Sequence, residues 1–147
     1  MTSVAQILKS KADKAVHTIN LSASVFDAVK LMADKNIGAL VVVEDGKVVG
    51  VITERDYARK VVLMARASKD TPVRDIMTSK VIYVRPSQGS EECMALMTEN
   101  RLRHLPVLDK GGKLVGLVSI GDLVKDVISE QKFMIEQLEH YIAGDHG

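Results

Sequence analysis

Two four-residue runs carry the residue types best suited to chemistry. Thr53-Glu54-Arg55-Asp56 and Ser119-Ile120-Gly121-Asp122 each place a hydroxyl three residues before a carboxylate. Each run directly follows a glycine and two apolar residues, Gly50-Val51-Ile52 and Gly116-Leu117-Val118. At a helix start this spacing lets hydroxyl and carboxylate bond each other's backbone N–H groups, a capping box. The carboxylate also suits the positive end of the helix. The same geometry sets N–H groups, a hydroxyl and an acceptor at a strand's end, where open α/β sheets collect anionic ligands. Capping alone explains either run taken singly. Their recurrence at one point of two segments points to a ligand.

Other reactive residue types lead nowhere comparable. Cys93 is the single cysteine, so neither an internal disulfide nor a multi-cysteine metal site can form. It shares an amphipathic stretch with Leu96 and Met97 and reads as a small buried hydrophobe. His104, between apolar neighbours, reads equally as a structural histidine or a phosphate contact. With Cys93 or His104 as nucleophile or base and Asp56 or Asp122 nearby, no third group orients them and no nucleophile elbow occurs. No P-loop is present, and Gly46-x-x-x-Gly50 reads as a turn and a strand end. His140, Asp145 and His146 hold metal-donor groups but fall in a stretch expected to fray. The expectation is therefore no enzyme, no catalytic residue, no catalytic cofactor and no metal.

The chain has 147 residues, 46% hydrophobic and 27% charged, which suits a folded globular protein. Its net charge of +1 leaves no broad nucleic-acid footprint, and 3% aromatics argue against base-stacking platforms. No apolar stretch approaches the length of a membrane span. The N-terminal MTSVAQILKSKADK puts polar residues where a signal peptide has its apolar core, so a cytoplasmic protein is expected.

The elements that must position the two runs repeat with them. Ile37-Gly38-Ala39-Leu40-Val41-Val42-Val43 matches Leu102-Arg103-His104-Leu105-Pro106-Val107-Leu108, and Leu31-Met32 matches Leu96-Met97. The register slips by one residue where Asp45-Gly46 becomes Lys110-Gly111-Gly112, an insertion that a hairpin turn tolerates. Each half reads strand–helix–strand–strand–helix. The first strands are Val16 to Ile19 and Val81 to Val84. The first half's first helix opens near Ser24, with Val25, Ala28, Val29 and Met32 on one face. Then come Ala39 to Val43 with Val48 to Ile52, and Leu105 to Leu108 with Leu114 to Val118. Residues 1–72 form the first unit, with an N-terminal helix over Met1 to Lys14. Residues 73–147 form the second, with an extended C-terminal helix whose stripe Val124, Ile128, Ile135, Leu138 and Ile142 is expected to pack on a partner subunit. Packing on its own domain is the alternative. The two units, an α/β (α+β) architecture, should pack as one body.

This order of motifs, in tandem over about residues 10 to 130, resembles a pair of cystathionine-β-synthase (CBS) domains, also called a Bateman module. The resemblance implies two pseudo-two-fold-related β-α-β-β-α repeats with clefts between them for adenosine nucleotides such as AMP, ADP, ATP, NAD or S-adenosylmethionine. It implies that Asp56 and Asp122 accept from ribose hydroxyls, and that Thr53 and Ser119 bond ribose or phosphate. Ile37, Gly38, Ala39, Arg103, His104 and Pro106 would flank base or phosphates, with Thr18, Lys80, Val81 and Ile82 completing the walls. Arg55 with Arg101, Arg103 and His104 would form a phosphate funnel, unless the arginines merely solvate a helix end. Gly121 stands where the first copy has Arg55, so unequal sites are expected. The function implied is a non-enzymatic sensor that binds a nucleotide, homodimerises and signals in trans to a protein effector. The alternative is a structural dimerisation module with no nucleotide ligand.

Overall fold

The fold is described from a computed structural model covering residues 2–12 and 14–143. Helix α1 (Val4–Ser10) opens at a capping box between Ser3 and Gln6, and ends where Lys11 turns extended. It is shorter than the expected Met1 to Lys14. In the first half, β1 (Thr18–Asn20) runs parallel to β2 (Ala39–Glu44), which pairs antiparallel with β3 (Lys47–Thr53). Helix α2 (Val25–Lys35) crosses between β1 and β2, capped by the Ser24 hydroxyl on the Asp27 N–H. After β3 come one turn of α3 (Glu54–Tyr57) and a π-helical turn over Ala58–Val62.

A 3-10 turn (Val73–Asp75) leads into the second half, α4 (Ser90–Asn100), β4 (His104–Leu108), β5 (Leu114–Ser119) and α5 (Ile120–Ile142). The parallel strand expected at Val81 to Val84 shrinks to one bridge, Val84 to Val107. Val84 exchanges bonds with Pro106 and Leu108, but Pro106 has no N–H for the Ile82 carbonyl and Pro86 none for the Leu108 carbonyl, so the ladder extends in neither direction. Both hairpins carry a register shift at the same point, Val42/Val43 and Val107/Leu108. The extra residue sits in the second turn, where Asp109 accepts from the Gly111 and Lys113 N–H groups, each at 2.9 Å.

Two cores result, and each is closed by a segment that precedes the other half in sequence. Val25, Ala28, Met32, Leu40, Val42 and Ile52 pack with Val73 and Ile76 from the inter-repeat segment. Cys93, Met97, Leu105, Val107, Val118 and Leu123 pack with Val4 and Ile7 of α1. The docking bonds match pairwise. Val73 and Arg74 N–H donate to Ala23 and Leu21 carbonyls at 2.8 and 3.0 Å, as Val4 and Ala5 donate to Gln88 and Pro86 at 2.8 and 2.9 Å. Gly50 and Gly116 permit the close approach: an added Cβ would lie 2.7 Å from Met77 Sδ and 2.6 Å from Leu8 Cδ2, respectively. The 72/73 boundary thus follows the sequence order, while both docking segments cross it in space.

Cys93 lies wholly in the second core, and burial, followed by the charge of Glu92, pushes its thiol pKa up. Of α5 only Leu123 is buried; Val124, Ile128, Ile135, Leu138 and Ile142 are all exposed, so the stripe does not pack on its own domain. Among the described residues no helix is long and apolar enough to cross a membrane.

Ile7 and Ile76, 2% and 1% exposed, each close a core from across the boundary. Their replacement by Ala is expected to cost about 2–5 kcal/mol each in urea unfolding followed by circular dichroism. The transition should stay single, because neither core is complete without the other half's segment. Residues 73–147 expressed alone should show no cooperative transition.

Candidate functional site

The chain turns from strand into helix at Thr53 and Ser119 because their hydroxyls cap the first helical turn. The Thr53 Oγ1 accepts from the Asp56 N–H at 3.1 Å, while Asp56 Oδ2 accepts from the Thr53 N–H at 3.0 Å and from its hydroxyl at 3.1 Å. Ser119 and Asp122 repeat this, with bonds of 3.2 and 2.8 Å. Both motifs therefore do cap their helices, and the capping fixes each carboxylate at a strand's end. Asp56 is only 9% exposed, and Lys60, one turn on, sits 3.1 Å from its Oδ1.

A cavity of about 320 Å³ opens beside Asp56, between the two halves. That is the lower end of the range for small-molecule sites. It gathers Gly38, Thr53, Arg55 and Asp56 from the first half with Arg103, His104 and Pro106 from the second. The crossing segment supplies Lys80, Val81 and Ile82. Arg101 and Leu102 also line it, so the basic group implied by the resemblance borders one cavity. Arg55 Nη1 reaches the Arg101 carbonyl at 3.0 Å, tying the halves together. Arg101 ends α4 in the left-handed region at φ 55°, where Asn36 ends α2 at φ 53°. Four cationic residues, Arg55, Lys80, Arg101 and Arg103, thus line the cavity with two acidic ones, Glu54 and Asp56. Val51, Val81, Ile82, Leu102 and Pro106 supply its apolar lining.

Thr18, Ile37, Ala39, Ser119 and Asp122 do not line this cavity. Thr18 is exposed at the start of β1, opposite Val41, and Ile37 packs on the first core. Ala39 is fully buried at the start of β2. Ser119 and Asp122 lie at the second motif, where Lys11 Nζ stands 2.9 Å from Asp122 Oδ2. A second cavity of about 210 Å³ lies near by, lined by Leu8, Lys9, Lys11, Lys14, Ala15, Val16, Val115, Gly116 and Leu117.

Sequence reasoning missed Val51, Glu54 and Thr78 in the first wall. Val51 precedes the motif on the same strand. Thr78 had a legible signal: Val73-Arg74-Asp75-Ile76-Met77-Thr78-Ser79-Lys80 repeats Val4-Ala5-Gln6-Ile7-Leu8-Lys9-Ser10-Lys11. The Thr78 N–H and carbonyl pair with Val51 at 2.9 and 3.0 Å, which holds the segment along the cleft.

His104 faces Gly38 across the halves: a Cβ on Gly38 would lie 3.5 Å from its Cε1 and 3.2 Å from Glu54 Oε1. Burial lowers the His104 pKa below its ordinary 6.5, and the charges of Lys11 and Arg103 add to this while Asp122 opposes it. Cys93 belongs to the second core and not to this wall, so the two residues considered for nucleophilic chemistry do not meet. Among the described residues no cluster of His, Cys, Asp and Glu could hold a metal ion; Asp145 and His146 lie outside them.

The depressed His104 pKa has a definite sign. Below 6.5 the unfolded chain binds a proton that the folded chain refuses, so stability is full above that pH and falls as pH drops beneath it. His104→Gln is expected to flatten the fall in melting temperature between about pH 7 and pH 5. An unchanged slope would assign that fall to other groups.

A family model described as the CBS domain matches residues 4–63 and again residues 73–129. The CBS domain-containing protein CBSX3, mitochondrial, of Arabidopsis thaliana is 44% identical over 99% of this chain and 74% of its own length. A solved structure of a protein with CBS domains from Burkholderia ambifaria MC40-6 is 63% identical, with a TM-score of 0.85 over 88% of this chain and 96% of that one. The CBS domain pair of protein MJ0100, solved in complex with 5′-methylthioadenosine and S-adenosyl-L-methionine, is 27% identical. It has a TM-score of 0.79 over 88% of this chain and 98% of that one.

Proposed function

The chain belongs to the CBS-domain family as a tandem pair, and from that premise we propose a non-enzymatic regulatory module that binds an adenosine-containing nucleotide, of the AMP, ADP, ATP or NAD class, between its repeats. The observation that carries the reading is the cavity lining itself, in which a capped carboxylate, a group of cations and apolar residues converge. An ionised carboxylate offers two acceptor oxygens to a vicinal diol. Arg55, Arg101 and Arg103 suit phosphate oxygens, which guanidinium groups bind through paired N–H donors. Val51, Val81, Ile82, Leu102 and Pro106 give an apolar grip for the faces of a base. The adenosine compounds bound to the MJ0100 domain pair support the ligand class.

A second reading, a structural module without nucleotide, draws on the capping boxes and on Lys60, which already occupy both oxygens of Asp56. Asp56→Asn separates the two. If Asp56 only caps its helix, the variant loses about 1 kcal/mol of stability and no nucleotide response is there to lose. On the proposed reading, wild-type protein denatured after gentle purification releases an adenosine compound detectable by mass spectrometry. The Asn variant, still folded by circular dichroism, releases none.

Output in trans needs a surface, and the apolar face of α5 supports a homodimer. Ile128, Ile135 and Leu138 share that face and are 57%, 55% and 58% exposed. Buried against a second copy, they would lose that contact with water. Sedimentation equilibrium is expected to show a dimer, and Ile135→Glu should give a folded monomer.

A further inference from the structure

The two strand-to-helix motifs share their capping geometry but not their surroundings. We propose that Lys11 closes the second cleft from within, so that the module takes its ligand beside Asp56 alone. The inference rests on the nucleotide reading above for its ligand, but not for the closure itself.

The difference begins with the counter-ions. Asp56 has Lys60 one turn further along its own helix. The matching position after Asp122 holds Asp126, a second carboxylate on the same helix face. The cation for Asp122 therefore comes from another part of the chain. Lys11 supplies it, with Nζ 2.9 Å from Asp122 Oδ2 and 2.8 Å from the Leu117 carbonyl oxygen. Both ends are shielded, with side-chain exposures of 26% for Lys11 and 15% for Asp122.

Helix length explains why Lys11 reaches the motif and its counterpart Lys80 does not. In the segment docked on the first half, helical geometry stops at Asp75, and Thr78 pairs with Val51 through two backbone bonds. In the segment docked on the second half, α1 continues to Ser10, and the Leu117 carbonyl, which matches that of Val51, accepts from the Lys11 ammonium instead. Lys80 stays exposed on the wall of the first cavity. The cavity beside this segment is smaller, about 210 Å³, and neither Ser119 nor Asp122 lines it. Asp122 Oδ2 already accepts from the Ser119 N–H and the Lys11 ammonium, and unlike Asp56 this carboxylate lines neither cavity, so a ribose bonding to that oxygen would have to displace the ammonium. Gly121, in place of Arg55, offers no guanidinium to draw a phosphate there.

The test has two arms on the full chain. In the first, amine acylation read by mass spectrometry compares Lys11 with its exposed neighbours Lys9 and Lys14, without ligand. Lys11 is expected to react at least tenfold more slowly than either, and Asp122→Asn to abolish that protection. Equal reactivity of the three lysines overturns the closure. In the second, calorimetric titration with ATP, and separately with AMP, is expected to give one site per chain in wild type and two in Lys11→Met. Two sites in wild type, or one in a folded Lys11→Met, overturns it. If Lys11→Met does not fold, Lys11→Gln carries the titration and the labelling of wild type still decides. Should neither compound bind any variant, the nucleotide reading falls and the first arm alone judges the closure.

Discussion

The structure depends on an exchange: each half's core is closed by the segment that leads into the other half. Val4 and Ile7 fill the second core, and Val73 and Ile76 the first. A two- or three-stranded sheet with two helices buries too little apolar surface to stand alone. The borrowed segment supplies the missing layer, and glycine at positions 50 and 116 lets it lie flat on the strand. The cleft is a product of this crossing. The segment that completes the first core continues directly into Thr78, Lys80, Val81 and Ile82, which line the cavity. Packing the core and building the site are one event.

The capping motif shows how structure and recognition share atoms. The Asp56 carboxylate satisfies two donors at the helix start and is held by Lys60, so its position is fixed without any ligand. Such preorganisation lowers the ordering cost of binding, since nothing need be immobilised on arrival. The same economy makes the motif ambiguous in sequence. A hydroxyl and a carboxylate at this spacing predict a capped helix equally well whether or not anything binds there. Only the neighbours separate the cases: arginines and a cavity beside Asp56, Lys11 beside Asp122.

The tandem repeat, its hairpins and the two capped helices were legible because they are local. Periodicity, turn glycines and hydroxyl-x-x-carboxylate spacing act within a few residues. The gathering of Arg55 with Arg101, Arg103 and His104 was expected from the family resemblance and not from the repeat alignment, which pairs Arg55 with Gly121. What escaped was long-range. The strand expected at Val81 to Val84 keeps a single bridge because Pro106 has no N–H for the Ile82 carbonyl and Pro86 none for the Leu108 carbonyl. Thr18, Ile37 and Ala39, which the resemblance assigns to the clefts, do not line the first cavity. The resemblance between residues 4–11 and 73–80 was written in the sequence, but at a register different from the main repeat. That shift hid the exchange of segments and the arrival of Lys11 at Asp122.

An apparently symmetric module is thus asymmetric where it matters, and the asymmetry bears on how occupancy could be read out. The first cavity touches both halves and the segment joining them, with the Arg55 guanidinium bonded to the Arg101 carbonyl across the gap. A ligand there would contact both halves and the segment joining them. The second motif opens α5, whose far end is the exposed apolar face. With Asp122 held by Lys11, that helix is anchored at its base to the N-terminal segment rather than to a ligand. A ligand shifts a conformational equilibrium only by its difference in affinity for the two states. On the proposed reading, that difference must arise in one cleft and reach α5 through the interlocked cores, with the second motif serving as its fixed mount.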